Sequence, residues 1–297
     1  MSAGSVLFDA PGPRARLRAH LYTALFTLVL LAVAWFVFRG FADKNQWNGA
    51  LWKPFIEGAT WSEFLLPGLL NTIEAALLSV VIAIPIGVLL GIGRMSVHRW
   101  VSAPCGVIVE FFRAIPVLLL MVFAAELYFT YTDVDSETRP LLAVVTGLVL
   151  YNGSVLAEIV RSGIKSLPRG QAEAAAALGM RSGQIMRSVQ LPQAVSLMLP
   201  AIVSQLVVIL KDTALGGQLT VGYTELVRSA GPITANFNNS IPTLIVLAAI
   251  FIVLNYLLTL AAALLQRRLS RSRRTPPGAK VVVNPGATAG TGAGVAL

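Results

Sequence analysis

Six long apolar runs constrain what this chain can fold into more than any other feature. They lie near residues 21–38, 68–93, 106–129, 141–160, 194–212 and 241–265. An α-helix needs about 20 mostly apolar residues to cross a bilayer, and it satisfies its own backbone hydrogen bonds there. The runs therefore predict an all-α polytopic membrane protein with six transmembrane helices. The charged fraction agrees, because only 12% of the 297 residues are charged, about half the usual share in soluble domains.

The first apolar run has two interpretations. Three arginines precede it, as they would precede the apolar core of a signal peptide. The run is long for such a core, however, and aromatic residues such as Trp35 and Phe36 stand where a cleavage site needs small residues. We therefore predict an uncleaved spanning helix.

Basic residues predict how the chain is oriented in the membrane. Arginine, lysine and histidine cluster at 14–18, 94–99, 161–187 and 267–274, which fall on one side if six helices cross. Residues 39–67 and 130–140, on the other side, are neutral or acidic. Cytoplasmic loops are the basic ones, so both termini and the 161–193 loop should be cytoplasmic. On this interpretation the net charge of +9 is a topology signal and not a nucleic-acid contact.

The 161–193 loop contains the stretch EAAAALGMRSGQIMRSVQLPQ at residues 173–193. Pro168 suits a helix start, and the residues from 171 to 178 are strong helix formers. Gly179 can end that helix in the left-handed conformation, residues 181–189 could form a second short helix, and Pro192 suits the first turn of the next span. The helix could lie in lipid headgroups. Its alanines would anchor poorly there, and they favour docking in a protein groove.

The spacing of this stretch resembles the EAA loop of ABC-importer permeases. EAA is followed after three residues by glycine, and after nine more by an aliphatic residue, one residue and Leu-Pro. The resemblance implies coupling helices that insert into a cleft on a separate ATP-binding subunit. The residues carried over are Glu173, Ala174, Ala175, Gly179, Leu191 and Pro192.

Further motifs are similar to the polar amino-acid uptake group of these permeases. They are Asn71-Thr72, EFFRAIP at 110–116, AEIVRSGI at 157–164 and KDTAL at 211–215. The resemblance covers about 64–266, with the EAA loop at 168–193, and leaves 1–63 and 267–297 outside a five-helix core. The extra N-terminal helix and the long tail resemble the larger permease of actinobacterial glutamate importers. Glu74 departs from the pattern, because that position is usually uncharged.

The resemblance also implies what the chain works with. We expect a multi-pass protein of the bacterial plasma membrane that carries a polar amino acid such as glutamate. Its partners would be an ATPase dimer that binds ATP and Mg²⁺, a second permease chain, either identical or related, and an extracytoplasmic solute-binding protein. No cofactor is expected on this chain, and the tail from Thr275 onward, rich in Gly, Ala and Pro, is predicted to be disordered.

Polar and ionisable residues within the spans are the candidates for the substrate path, because burying a charge in a bilayer costs roughly 2.5–3.5 kcal/mol and needs a partner or a cavity. Some also have a structural interpretation: Glu110 with Arg113 as a snorkelling pair, and Glu158 with Arg161 as a pair supporting the cytoplasmic gate.

Glu74 and Asn152 are best placed by depth for a midplane amino-acid site, with an interhelical hydrogen bond as the alternative for each. Lys211 and Asp212 end the fifth span on the outer side and are expected to line the entrance, and Pro116 is expected to break the third span. The candidates are Glu74, Arg113, Asn152, Glu158, Arg161, Lys211 and Asp212.

Two other classes of protein remain to be weighed. An intramembrane enzyme would need catalytic groups at matched depths, and the sequence offers no such cluster and no Gly-x-Ser-x-Gly stretch. The chain has no Gly-x-x-x-x-Gly-Lys-[Ser/Thr] loop, so we do not expect it to hydrolyse ATP. A stand-alone secondary carrier would leave the 161–193 loop as an incidental surface helix.

Overall fold

A computed structural model describes residues 12–219 and 222–271, and within these ranges the chain is helical with no strand. Everything beyond residue 271 lies outside the described residues, including the segment predicted to be disordered. The helices, in chain order, are α1 (Pro13–Asp43), α2 (Gly49–Trp52), α3 (Gly58–Thr60), α4 (Leu66–Gly93), α5 (Arg99–Ala114), α6 (Val117–Tyr131), α7 (Arg139–Lys165), α8 (Arg169–Ala177), α9 (Ser182–Ile185), α10 (Leu191–Asp212), α11 (Ala230–Phe237) and α12 (Ser240–Arg271).

The predicted spans correspond to six membrane-crossing units in the described part of the chain. Five helical segments are each long and apolar enough to cross a bilayer, and they contain α1, α4, α7, α10 and α12. The pair α5 and α6 makes a sixth if its two helices are taken as one broken span. The all-α fold with six spans is therefore confirmed.

The third span is not one continuous helix, and the break at Pro116 that the sequence predicts is confirmed. The axes of α5 and α6 differ by 101° across Ile115 and Pro116. Proline lacks a backbone N–H and pushes the residue before it into extended conformation, and Ile115 has φ −92° and ψ 131°. Both helices of the pair still pack on α7. Arg94 bridges Glu110 of α5 to Glu158 of α7, and Met121 of α6 packs on Gly147 of α7.

Helices α4 and α7 run parallel and form the centre of the bundle. Two glycines of α4 allow this close approach. A Cβ on Gly87 would lie 2.5 Å from Leu156 Cβ and 3.0 Å from the Gly153 carbonyl oxygen, and one on Gly91 would lie 2.8 Å from the Ala157 oxygen. Small residues bring helices together in membranes, where packing rather than water exclusion holds them. Helix α10 packs antiparallel on α7 and completes the core.

The bundle has two ends that differ in chemistry. We call the end that carries α8, Arg94 and Glu158 the α8 end. The α11 end carries α11, the start of α4 and the segment 222–229. By the charge distribution described above, the α8 end is the predicted cytoplasmic end.

Helix α1 stands apart from this bundle. None of its spanning window is buried, so its apolar side chains are left for lipid or for another chain. A stack of aromatic rings connects it to the next segment: the rings of Phe38 and Trp47 lie 5.3 Å apart, and those of Trp47 and Trp52 lie 6.3 Å apart. Its length suits the predicted uncleaved spanning helix.

Candidate functional site

Helix α8 exposes a surface made mostly of small side chains at the α8 end of the bundle. It begins after Pro168, as predicted, and ends at Ala177. Ala175 is buried, whereas Glu173 and Ala174 are exposed. Leu178, just past the helix, is 84% exposed. A short helix of exposed alanines next to an exposed leucine has the surface expected of a helix that docks on a partner.

Gly179 turns the chain at the end of α8, as the sequence predicted. Its φ is +79°, in the left-handed region where glycine has no steric penalty. The Gly179 amide donates to the Ala176 oxygen at 2.9 Å, and the Met180 amide donates to the Ala175 oxygen at 3.2 Å. These bonds satisfy carbonyl groups that the helix end would otherwise leave unpaired. No atom lies within 4 Å of a Cβ built on Gly179, so the turn is open to solvent or to another chain.

The segment after Gly179 differs from the prediction of a separate second helix. Helix α9 continues through a π-helical turn, Met186–Gln190, directly into α10. The whole stretch Ser182–Gln218 is one helical segment that is long and apolar enough to cross a bilayer. Leu191 and Pro192 fall in the first turn of α10, where a missing proline N–H is tolerated. The part of the loop from Ser182 onward is therefore an extension of a spanning helix.

A network of five charged side chains lies beside this loop. The Arg94 guanidinium donates to Glu158 Oε2 at 2.7 Å and to Glu110 Oε1 at 2.8 Å. Arg161 donates to Glu158 Oε1 at 3.0 Å. Arg113 approaches Glu110 at 3.7 Å and Glu158 at 4.0 Å. The structure thus joins the two predicted pairs, Glu110 with Arg113 and Glu158 with Arg161, through Arg94, and it connects α4, α5 and α7.

The centre of the network is a residue that the sequence interpretation used only as a topology signal. The side chain of Arg94 is 9% exposed, the most buried of the five, and it holds both carboxylates. No local pattern could have found it, because its partners lie 16 and 64 residues away. Its place directly after an apolar span was the one available signal.

Asn152 and Glu74 do not form a common site. Asn152 is fully buried; its Nδ2 donates to the Leu148 oxygen at 2.9 Å and its Oδ1 accepts from Gln205 Nε2 at 2.6 Å. This is the interhelical hydrogen bond that the sequence left open as the alternative to ligand contact. Glu74 is exposed, and it precedes Gly87, the neighbour of Gly153, by 13 residues, about 20 Å along α4.

Lys211 and Asp212, which the sequence places at the outer entrance, are the last two residues of α10. Lys211 borders a groove of about 520 Å³ with Phe251, Ile252 and Asn255 of α12. Phe251 comes 11 residues after α12 begins, about 16 Å along that helix. Asp212 is half-buried. The four polar candidates Glu74, Asn152, Lys211 and Asp212 are thus spread over the bundle.

The segment 222–229 is a polar feature of the α11 end that the sequence interpretation missed. It is fixed to α4 by neutral hydrogen bonds. Thr72 Oγ1 accepts from the Leu226 amide at 3.1 Å, Asn71 Nδ2 donates to the Thr224 oxygen at 2.8 Å, and the Tyr223 hydroxyl donates to the Asn71 oxygen at 2.7 Å. The Asn71-Thr72 motif therefore serves to hold irregular backbone beside a spanning helix.

Glu225 lies at the centre of this segment and is fully buried. Its carboxylate accepts from the amides of Val227, at 2.6 Å, and Arg228, at 2.8 Å. Burial raises the pKa of Glu225 to about 7, while these two amides and the Arg228 charge act in the opposite direction. Burial disfavours the charged form of a carboxylate, so this group titrates near neutral pH.

The architecture is that of a transport subunit. The chain has a glycine-packed bundle, a broken third span and an exposed loop helix. Its sequence also matches one protein family. The family described as "binding-protein-dependent transport system inner membrane component" matches residues 83–271, and the chain belongs to it. It is thus a multi-pass inner-membrane component.

Individual relatives narrow the comparison. The chain is 50% identical over 232 residues to the glutamate transport system permease protein GluD of Corynebacterium glutamicum, covering 78% of this chain and 84% of that one. It is 32% identical over 208 residues to the probable glutamine ABC transporter permease protein GlnP of Bacillus subtilis, covering 69% and 93%.

Solved structures agree with the fold. A chain from a crystal structure of an amino acid ABC transporter with histidines superposes with a TM-score of 0.62 at 27% identity, covering 72% of this chain and 98% of that one. A chain of the MetNI methionine ABC transporter, at 24% identity and a TM-score of 0.58, shares the fold. The resemblance found in the sequence to ABC-importer permeases is confirmed.

Proposed function

We propose that this chain is the permease subunit of an ABC importer that carries glutamate into the cell. The observation that carries the proposal is the exposed helix α8, whose EAA spacing and bare alanine surface are suited to a partner's cleft. The 50% identity to a glutamate permease supports the substrate. On this proposal the chain has no catalytic residue of its own, and a separate ATPase dimer binds ATP and Mg²⁺.

The proposed partners follow from the two ends of the bundle. The ATPase dimer docks on Glu173, Ala174, Ala175 and Gly179 at the α8 end, which is cytoplasmic. A solute-binding protein delivers glutamate to the α11 end, and a second permease chain, identical or related, completes the translocation path. The family description, which is binding-protein-dependent, supports the extracytoplasmic partner.

The mechanism uses the continuity of α9 and α10. Closure of the ATPase dimer displaces α8, and the unbroken helix from Ser182 onward carries that displacement into the bundle. The charge network on α4, α5 and α7 lies beside the moving segment. The ion pairs of this network hold α4, α5 and α7 in one arrangement. The displacement of α8 changes the distances between the paired charges, and this change opens or closes the translocation path.

The test is a charge reversal on α8 with a matched control. We expect Glu173→Lys to abolish co-purification of the ATPase and coupled uptake of labelled glutamate, while membrane insertion is unchanged. Glu137→Lys, an equally exposed reversal in the 130–140 loop, should retain both. Uptake at the normal rate in Glu173→Lys would exclude the coupling role.

The substrate is tested separately in a strain that lacks this chain. Labelled glutamate uptake should be restored by the chain and should be competed by unlabelled glutamate more strongly than by other amino acids. Strong competition by a different amino acid would reassign the substrate and leave the coupling role intact. Restored uptake without any co-purifying ATPase would favour a stand-alone carrier.

A further inference from the structure

A cavity of about 510 Å³ opens at the α11 end between α4 and the segment that leads into α11. Ligand pockets for small molecules usually measure about 300–1,000 Å³, so a free amino acid fits. Its walls are Glu63, Phe64, Pro67, Gly68, Asn71, Thr224, Arg228, Ser229, Gly231 and Pro232.

Two neutral polar groups of this cavity are already engaged. Asn71 Nδ2 donates to the Thr224 oxygen at 2.8 Å, and Ser229 Oγ donates to the Phe64 oxygen at 3.1 Å. These bonds fix the walls to one another. A ligand that enters the cavity therefore meets walls that are bonded to one another, and it also meets two charged side chains.

Arg228 is the cation of the cavity, and it is held in position. Its Nη1 donates to the Gly217 oxygen at 2.8 Å, and its guanidinium lies so close to Gly222 that a Cβ there would overlap it. Gly222 has φ +63°, which further restricts that position to glycine. Of the five N–H groups of a guanidinium, the hydrogen bonds of the described residues engage one, and Arg228 is exposed on the cavity.

Glu63 supplies the opposite charge. It is exposed on the same cavity, and within the described ranges neither Glu63 nor Arg228 forms a salt bridge. One fixed cation and one anion on a small cavity match the carboxylate and the ammonium of an α-amino acid.

We propose that this cavity is a substrate site at the α11 end, in which Arg228 binds the α-carboxylate and Glu63 the α-ammonium of a free amino acid. The inference rests on the proposed import of glutamate. It adds the position at which this chain first binds the glutamate. An acidic side chain of a docking protein would satisfy Arg228 and would be repelled by Glu63, so the charge pair favours the free amino acid.

The experiment uses the assembled transporter, with its ATPase and second permease chain, in nanodiscs without the binding protein. Binding of tritiated L-glutamate is measured by scintillation proximity. We expect Arg228→Gln to weaken binding about tenfold or more, because a charge-assisted contact is lost, and Arg228→Lys to recover part of it. Lys53→Gln, a cation at the same end that does not line the cavity, should bind as the unsubstituted transporter does.

A second variant separates ligand contact from loss of structure. Glu63 is exposed and unbonded, so Glu63→Gln leaves the fold intact. It should weaken L-glutamate binding severalfold and leave competition by glutarate, which lacks the ammonium, unchanged. Arg228→Gln should weaken both ligands.

Three outcomes overturn the inference. Unchanged glutamate affinity in Arg228→Gln does so, as does equal weakening of glutarate and glutamate in Glu63→Gln. Normal glutamate affinity together with loss of binding-protein-stimulated ATP hydrolysis in Arg228→Gln would assign the cavity to protein docking. Failure of the proposed function looks different, because the unsubstituted transporter would then import no glutamate at all.

Discussion

The two ends of the α4–α7 pair are held together by different chemistry. At the α8 end, α4 meets α5 and α7 through ionised groups centred on Arg94. At the α11 end, α4 meets the segment 222–229 through neutral hydrogen bonds to backbone atoms, with Thr72 as the central acceptor. The contacts of Arg94 are charge-assisted hydrogen bonds of 2.7 and 2.8 Å, which are stronger than neutral ones. The α8 end therefore uses charges to join helices to one another, and the α11 end uses neutral bonds to keep an irregular segment in place.

The largest expected effect concerns Glu225, the buried carboxyl at the α11 end. Since the pKa of Glu225 is raised from 4.5 to about 7, the folded state binds this proton more tightly than the unfolded state. Stability is then greatest at low pH and declines as pH rises from about 4.5 to 7, by up to about 3 kcal/mol. Thermal unfolding of the purified chain in detergent should show a falling midpoint between pH 5 and 7.5.

Glu225→Gln removes this titration and provides the control. Its unfolding midpoint should vary much less over the same pH range. If the unfolding midpoint changed equally with pH in both proteins, another group would cause the pH dependence. Glu225 would then make no ionisable contribution to the stability of the α11 end.

Removing the centre of the ion network should have the next largest effect. Arg94→Gln leaves Glu158 and Glu110 without their closest cation, and we expect a loss of about 2 kcal/mol. Arg99→Gln removes an exposed arginine five residues later that forms no ion pair in the described part of the chain, and its effect should be within the error of the measurement. Equal midpoints for the two variants would remove the structural role of the network.

Thr72→Val tests the neutral end. The substitution keeps the shape of the side chain and leaves the buried Leu226 amide without its acceptor, which should cost about 1 kcal/mol. Thr27→Val in α1 is the matched control. The Thr72 hydroxyl donates to the Gly68 oxygen of its own helix at 2.8 Å, and the Thr27 hydroxyl donates in the same way to the Thr23 oxygen at 2.8 Å, but Thr27 is exposed. The difference between the two midpoints measures the bond across helices.

The smallest effect is expected at Lys53. Its ammonium lies 3.6 Å from Glu57 Oε1, and the two side chains are 75% and 50% exposed. Exposed pairs of this kind contribute about 0–1 kcal/mol, so Lys53→Gln should shift the unfolding midpoint hardly at all. A shift as large as that of Arg94→Gln would mean that exposure does not decide the strength of these pairs.

Features encoded within a few residues were predictable from the sequence. The apolar runs gave the spans because the length of a helix that crosses lipid is fixed. Pro168 and Gly179 marked the ends of α8 because their backbone preferences are local. Pro116 marked the break in the third span, but the 101° bend depends on how α5 and α6 pack on α7, which no local pattern encodes.

The contacts between distant segments were not predictable. Arg94 meets Glu158, and Thr72 meets Leu226, only because the register of non-adjacent helices brings them together. Glu225 lacked a signal of its own, since a single glutamate in a short connecting segment normally faces water. Asn152 and Glu74 were grouped by their depth in the sequence, whereas the structure separates them along the parallel helices.

The contact between Gly87 and Gly153 also has a consequence for biosynthesis. The two residues are 66 positions apart, and ribosomes add roughly 5–20 residues per second. Helix α4 therefore waits roughly 3 to 13 s after its synthesis before the surface it packs on has been made. During that interval its glycine face borders lipid or the insertion machinery, and the α5–α6 pair enters the membrane before its main support exists. Assembly of the bundle is thus timed by the arrival of α7.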